Sequence, residues 1–168
     1  MKQTEMKPGA MPCPCCGAAG QPVKPITLRA LLKPESAAQV RDEWSYFFCG
    51  ASCGAAACDV VYFAPGSQVF LKADLAVRVG SKESAPPRPL CYCFGHTIES
   101  VAAEIERTGR STVIADIHRR MQEEGCSCET KNPAGRCCLG TVEQFVREQL
   151  AGSGHGAEVA EPQARGGC

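Results

Sequence analysis

The 168-residue sequence has no run approaching the roughly 18 continuous apolar residues of a membrane span. Its first eleven residues, Met1 to Met11, carry Lys, Gln, Thr, Glu and Pro where a secretory signal would be apolar. A cytoplasmic chain without membrane insertion is expected. Charge of one sign is lacking too: 18 basic residues balance 18 acidic ones, which removes the electrostatic case for a nucleic-acid partner. Aromatics are scarce at 6%. There is no Ser/His/Asp arrangement, no glycine-rich phosphate loop and no pair of carboxylates in an apolar setting, so a non-enzymatic protein, and a monomer, is expected.

What the sequence has is cysteine, 13 of them, beside 17 glycines and 12 prolines. Small cores need staples. In a chain with no export signal, reduced and clustered cysteines hold metal more often than they pair, and the odd count also argues against complete pairing. The fold class expected is small α+β: a zinc-stapled, β-rich N-terminal module followed by a helical cluster-binding domain. By composition the boundaries fall as 1–10 disordered, 11–79 zinc-binding module, 80–89 proline-rich linker, 90–151 cluster domain and 152–168 disordered tail. The two halves read as independent metal modules.

In the first half, Cys13-Pro14-Cys15-Cys16-Gly17 is a tight turn that lets the Cys13 and Cys16 sulfurs converge on one ion. A short helix capped by Thr27 is expected before Pro34. Strands are expected over Trp44–Cys49, Cys58–Phe63 and Val69–Leu71, with Trp44, Tyr46, Phe47, Tyr62 and Phe70 as the core. Met11-x-Cys13-x-x-Cys16 also matches a copper-loop pattern, but two further cysteines at strand ends favour zinc.

In the second half, Thr97 caps a helix with Ile98, Val101, Ala102 and Ile105 on one face, and Gly109 stops it. A second helix carries Val113, Ile114, Ile117 and Met121 up to Gly125. A third starts from a Thr141-x-x-Gln144 capping box and buries Val142, Phe145, Val146 and Leu150. Two cysteine motifs bracket the first helix pair: Cys91-Tyr92-Cys93, and a loop containing Cys126, Cys128, Cys137 and Cys138. A [2Fe–2S] cluster takes four thiolates as two close pairs. Cys91 and Cys93 with Cys128 and one of Cys137 and Cys138 meet that need. Helix N–H groups after Cys93, and free backbone N–H groups with Arg136 in the loop 132–136, would then face an anionic cluster. His96 reads as a neighbour of the site or a surface group, His118 as solvated. Arg107, Arg110, Arg119 and Arg120 read as a wet helix face.

Cys91-Tyr92-Cys93, the helix pair and Cys128 followed by Pro133-Ala134-Gly135-Arg136-Cys137-Cys138 resemble the [2Fe–2S] domain of bacterioferritin-associated ferredoxin. With Cys13-Pro14-x-Cys16, Tyr46-Phe47-Phe48-Cys49 and Cys58-Asp59-Val60-Val61-Tyr62-Phe63, the chain from Cys13 to Leu150 resembles still more the N-terminal region of CopZ-type copper chaperones, which joins a zinc module to such a domain. By position, the resemblance implies cluster ligands at Cys91, Cys93, Cys128 and Cys138, and zinc ligands at Cys13, Cys16, Cys49 and Cys58. The second zinc pair is more widely spaced than the family's, and Cys53 within that insertion could replace Cys58. The copper-carrier domain that ends such chaperones is not expected in this chain. The resemblance implies copper or other soft-metal homeostasis, with the cluster as one-electron centre and a metal-transport, copper-carrier or redox protein as partner. Cys15, Cys53, Cys126 and Cys137 are left over to hold transient Cu+. The alternative is a ferredoxin-type electron-transfer protein serving a partner enzyme.

Overall fold

The computed structural model describes residues 10–50, 58–66 and 68–153. The termini read as disordered therefore lie outside the described residues, except for Ala10, Gly152 and Ser153, and Cys53 and Cys168 lie outside them too. The first half is a four-stranded antiparallel meander, β1 (Gln21–Val23), β2 (Tyr46–Phe48), β3 (Val60–Phe63) and β4 (Val69–Leu71), in sequence order. Between β1 and β2 run α1 (Pro25–Leu31) and the single turn α2 (Pro34–Ala37). β2 and β3 are buried at every position, whereas β4 buries Phe70 alone. An all-buried pair inside a sheet needs apolar residues on both faces, and Tyr46-Phe47-Phe48 and Val60-Val61-Tyr62-Phe63 supply them.

The two faces of this sheet build different cores. One contains Leu28, Leu32, Tyr46, Phe48, Val61, Tyr62 and Phe70. The other is small and includes Phe47, Val60 and Phe63 with Cys13, Cys49 and Cys58. Stacked rings of Phe47 and Phe63, 5.7 Å apart, floor the second one.

Several expectations need correction. Thr27 is not a cap: Pro25 takes the first helical position, where its missing N–H costs nothing, and Thr27 is buried inside α1. Trp44 is not core but 39% exposed, with the Arg41 guanidinium 5.4 Å from its ring. Strand β1 was not expected, because Gln21-Pro22-Val23 is too short to show a period.

The second half is helical: α3 (Ile98–Thr108), α4 (Val113–Glu124), the single turn α5 (Cys128–Lys131) and α6 (Leu139–Gly152). A two-stranded ribbon, β5 (Pro89–Cys91) with β6 (His96–Thr97), leads into α3. The Thr97 hydroxyl accepts from the Ser100 N–H, and Gly109 and Gly125 close α3 and α4 at φ 72° and 73°. Val101, Ile105, Val113, Ile117, Val142, Val146 and Leu150 fill the core between the three long helices, with Cys91 and Cys138 among them. α6 starts at Leu139, directly after Cys138, so Thr141 lies inside the helix rather than capping it. No helix among the described residues is long and apolar enough to cross a membrane.

The halves are not independent. α1 packs on α5, the Tyr62 hydroxyl of β3 donates to the Pro133 carbonyl at 2.8 Å, and Lys24 pairs with Glu129. Residues 80–82, read as linker, form a 3₁₀ turn in which Gly80 and Lys82 are buried.

Candidate metal centres

The turn that begins at Cys13 is held by backbone hydrogen bonds, Cys13 N–H to Ala18 O and Gly17 N–H to Cys13 O, both 2.8 Å. Gly17 sits at φ 72°, a conformation that residues with a Cβ resist. This closes the knuckle and turns Cys13 and Cys16 the same way. Cys49 follows the last residue of β2, and its N–H bonds to the Val61 carbonyl at 2.8 Å. Cys58 stands two residues before β3. The sulfurs of Cys13, Cys16, Cys49 and Cys58 all lie within 4.8 Å of one another. Cys13 and Cys58 are 3.8 Å apart and Cys16 and Cys49 are 3.7 Å apart. A tetrahedron with metal–sulfur arms of about 2.3 Å has edges of about 3.8 Å. The donor set therefore fits one tetrahedral, thiophilic ion, with Cys13, Cys49 and Cys58 buried and Cys16 partly open.

The second set is arranged differently. Cys91 and Cys138 are 3.2 Å apart, and Cys93 and Cys128 are 3.3 Å apart. Each pair joins one sulfur of the Cys91-Tyr92-Cys93 motif to one from the far side of the helix pair. Cys138, not Cys137, meets Cys91; Cys137 is half-buried and lines a cavity of about 260 Å³ beside the site. Two close pairs, rather than one tetrahedron, is the arrangement that two bridged irons would accept.

Backbone N–H groups of Phe94 and Cys93 bond the Cys91 sulfur, and the Cys138 N–H bonds that of Cys128. Cys91 is held down to about 6, first by its bond with Cys138 and then by those amides, against the upward push of burial. Cys138 is pushed up, by sharing a proton with Cys91 and by burial. Within that pair the shared proton is favoured on Cys138. Burial is the main reason that Cys128 is pushed up to about 12.

In the loop 132–136 the Ala134 and Gly135 amides, expected to be free, are already bonded within the turn. Ala134 N–H bonds Asn132 Oδ1, Gly135 N–H bonds Asn132 O, and Asn132 Nδ2 donates to Arg136 O. An asparagine before a proline is a signal for such a side-chain-closed turn. α3 starts five residues after Cys93, so the amides on the Cys91 sulfur come from the turn and not from the helix.

Arg120 is not part of a wet face: its guanidinium stacks 4.6 Å from the Phe94 ring and donates to Phe94 O, bracing the turn after Cys93. His96 Nε2 pairs with Asp116 Oδ2 at 2.8 Å. Burial pushes Asp116 up, but its bonds with Arg119 and His96 outweigh this and hold it below the ordinary carboxylate range. His118 is not solvated at its buried Nε2. Among the leftover thiols, Cys15 and Cys137 are free, whereas Cys126 is disulfide-bonded. Lys82 is the contact that sequence reasoning missed altogether, since nothing in a Gly-Ser-Lys stretch before prolines marks it for burial.

Residues 10–76 match a CopZ-type family model described as "Zinc binding domain". The chain is 34% identical over 135 residues to "Copper chaperone CopZ" of Archaeoglobus fulgidus, a match covering 80% of this chain and 61% of that protein. The chain thus spans about three-fifths of that relative's length. It is also similar to the X-ray structure of the Archaeoglobus fulgidus CopZ N-terminal domain, with TM-score 0.64 and 32% identity, over 80% of this chain and 97% of that one. With a zinc-binding domain matched over its first half and the solved domain matched along nearly its whole length, the chain belongs to the family of the CopZ N-terminal domain.

Proposed function

We propose that the chain is a metallochaperone-type protein in copper or other soft-metal homeostasis, with zinc held by Cys13, Cys16, Cys49 and Cys58 and a [2Fe–2S] cluster by Cys91, Cys93, Cys128 and Cys138. The observation that carries this reading is the difference between the two thiol sets: four sulfurs mutually within 4.8 Å in one, two pairs at 3.2 and 3.3 Å in the other. The first suits a single ion that does no redox chemistry, the second a dinuclear centre. When bound, the cluster supplies one electron at a time, the stoichiometry needed to take Cu(II) to Cu(I).

The chain's own residues define how such a centre meets the outside. Cys91, Cys128 and Cys138 are buried and Cys93 is half-buried, so water reaches the site from one edge. The amides on Cys91 and Cys128 favour the thiolate form and hold the sulfurs in place. Arg120, through Phe94, fixes the turn carrying Cys93. Cys137 offers a free soft donor beside the site. A metal-transport or copper-carrier protein is the partner this chemistry implies.

Metal analysis of anaerobically purified protein tests both centres: two irons, two acid-labile sulfides and one zinc per chain are the expected content. Cys138→Ser is expected to lose iron and sulfide while retaining zinc, and Cys137→Ser to retain all three. Zinc without sulfide would reduce both halves to structural zinc modules. A reduced cluster that loses no electron to added Cu(II) would leave electron transfer to a partner enzyme as the function.

A further inference from the structure

A lysine seldom enters a protein interior without something to balance its charge. Lys82 is 6% exposed. Its Nζ lies 3.8 Å from Cys49 Sγ and donates to Cys58 O at 3.0 Å. Both partners belong to the four-cysteine centre of the first half. A divalent ion with four thiolates carries two net negative charges, and placing that charge among Phe47, Val60 and Phe63 is costly unless cations or N–H donors face it.

The segment bearing Lys82 is fixed on both sides. The Gly80 N–H donates to the Tyr92 hydroxyl at 2.9 Å, and the Lys82 N–H bonds Val79 O at 2.8 Å. Lys72 Nζ donates to the Lys82 carbonyl at 3.0 Å. Gly80 passes so close to the β5 backbone that a Cβ there would stand 1.9 Å from Pro89 O. The ammonium is thus aimed by its backbone. Lys82 also lies beyond residues 10–76, the extent of the zinc-binding domain match.

Resting on the zinc reading above, we propose that Lys82 is a positioning residue of the zinc centre. Its ammonium offsets part of the tetrathiolate charge, donates to the Cys49 sulfur and anchors the Cys58 carbonyl. The zinc site is then completed from the segment that leads into the Cys91 strand. Zinc retention becomes a property of the whole chain rather than of its first half.

The test uses the full chain loaded with zinc, as wild type and as Lys82→Arg, Lys82→Gln and Lys82→Met. The readouts are zinc per chain, the rate of zinc transfer to a chromophoric chelator, and the thiolate-to-metal absorption of the cobalt-substituted protein. The glutamine and methionine variants are expected to bind one zinc but to release it about tenfold faster or more, with a shifted cobalt band, while arginine restores near wild-type behaviour. Unchanged release in both neutral variants overturns the proposal. So does arginine releasing zinc as fast as methionine, which would make the effect one of shape and not of charge. If the methionine variant does not fold, glutamine against arginine decides the same question. A wild-type chain that holds no zinc overturns the zinc reading together with this one; a zinc-holding wild type indifferent to Lys82 overturns this one alone.

Discussion

Glu99 shows how one side chain can secure the entry to the helical half. It stands in the first turn of α3 and accepts from the Arg88 N–H at 3.0 Å and from Arg88 Nε at 2.6 Å. Those bonds, the backbone one foremost, draw its carboxyl from the ordinary 4.5 down to about 2. A carboxyl whose folded pKa is depressed stabilises the fold fully above its unfolded value, and that contribution is lost as pH falls toward the folded one. The window here runs from about 4.5 down to about 2. Because Glu99 is only half-buried, solvent screens the effect and it will be small. The Tm of Glu99→Gln should lie below that of wild type at pH 6, with the gap closing as pH approaches 3. A gap that stays constant through that range would show that charge plays no part. Individual residues were the level at which sequence was least informative. The cysteines announced themselves by type and spacing, and the structure brings Cys13, Cys16, Cys49 and Cys58 within 4.8 Å of one another and pairs Cys91 with Cys138 and Cys93 with Cys128. Glu99, Lys82 and Arg120 are ordinary polar residues whose partners lie 11 to 33 positions away, and no local pattern encodes such partners.

The junction between halves depends on a loop pressed against a helix. Gly135 has φ 65°, and a Cβ added there would stand 2.8 Å from Thr27 Oγ1 and 2.9 Å from Val23 Cγ2. Gly135→Ala therefore combines a disfavoured backbone with overpacking against α1 and should cost about 1–3 kcal/mol. Gly140, in the first turn of α6, has nothing within 4 Å of its would-be Cβ. Gly140→Ala should instead stabilise by about 0.5–1 kcal/mol, since only helix propensity changes. Chemical denaturation of the two variants gives both signs, and equal effects would dismiss the junction as a tight contact. Long periodic helices were legible because α3 and α4 repeat their apolar residues every three or four positions and end at glycines. The start of α6 was misplaced because Cys138, an unusual cap, precedes it, and the short α5 and β1 carry no period at all.

The described residues form three cores, and they should respond differently to loss of zinc. Among the described residues, the core around Cys13, Cys49 and Cys58 has only Phe47, Val60 and Phe63 as its other buried apolar members. Without an ion to join them, four thiols leave too little burial to hold the knuckle, because metal binding there supplies folding free energy. The sheet's opposite core and the three-helix core contain no member of that thiol set and should persist. Chelation of zinc is thus expected to speed hydrogen exchange at the Cys13, Gly17 and Gly20 amides, which bond within the knuckle or back to Met11. Helical circular dichroism from α3, α4 and α6 should remain. On the proposed reading of the second thiol set, iron and sulfide should stay with the chain, since Cys91 and Cys138 sit in the helical core. The Tyr62–Pro133 bond offers a path by which disorder could spread, but β3 reaches it through Val61 and Tyr62, which pack into the persisting core. Helical signal and sulfide disappearing together with zinc would show instead that the two centres fold as one cooperative unit.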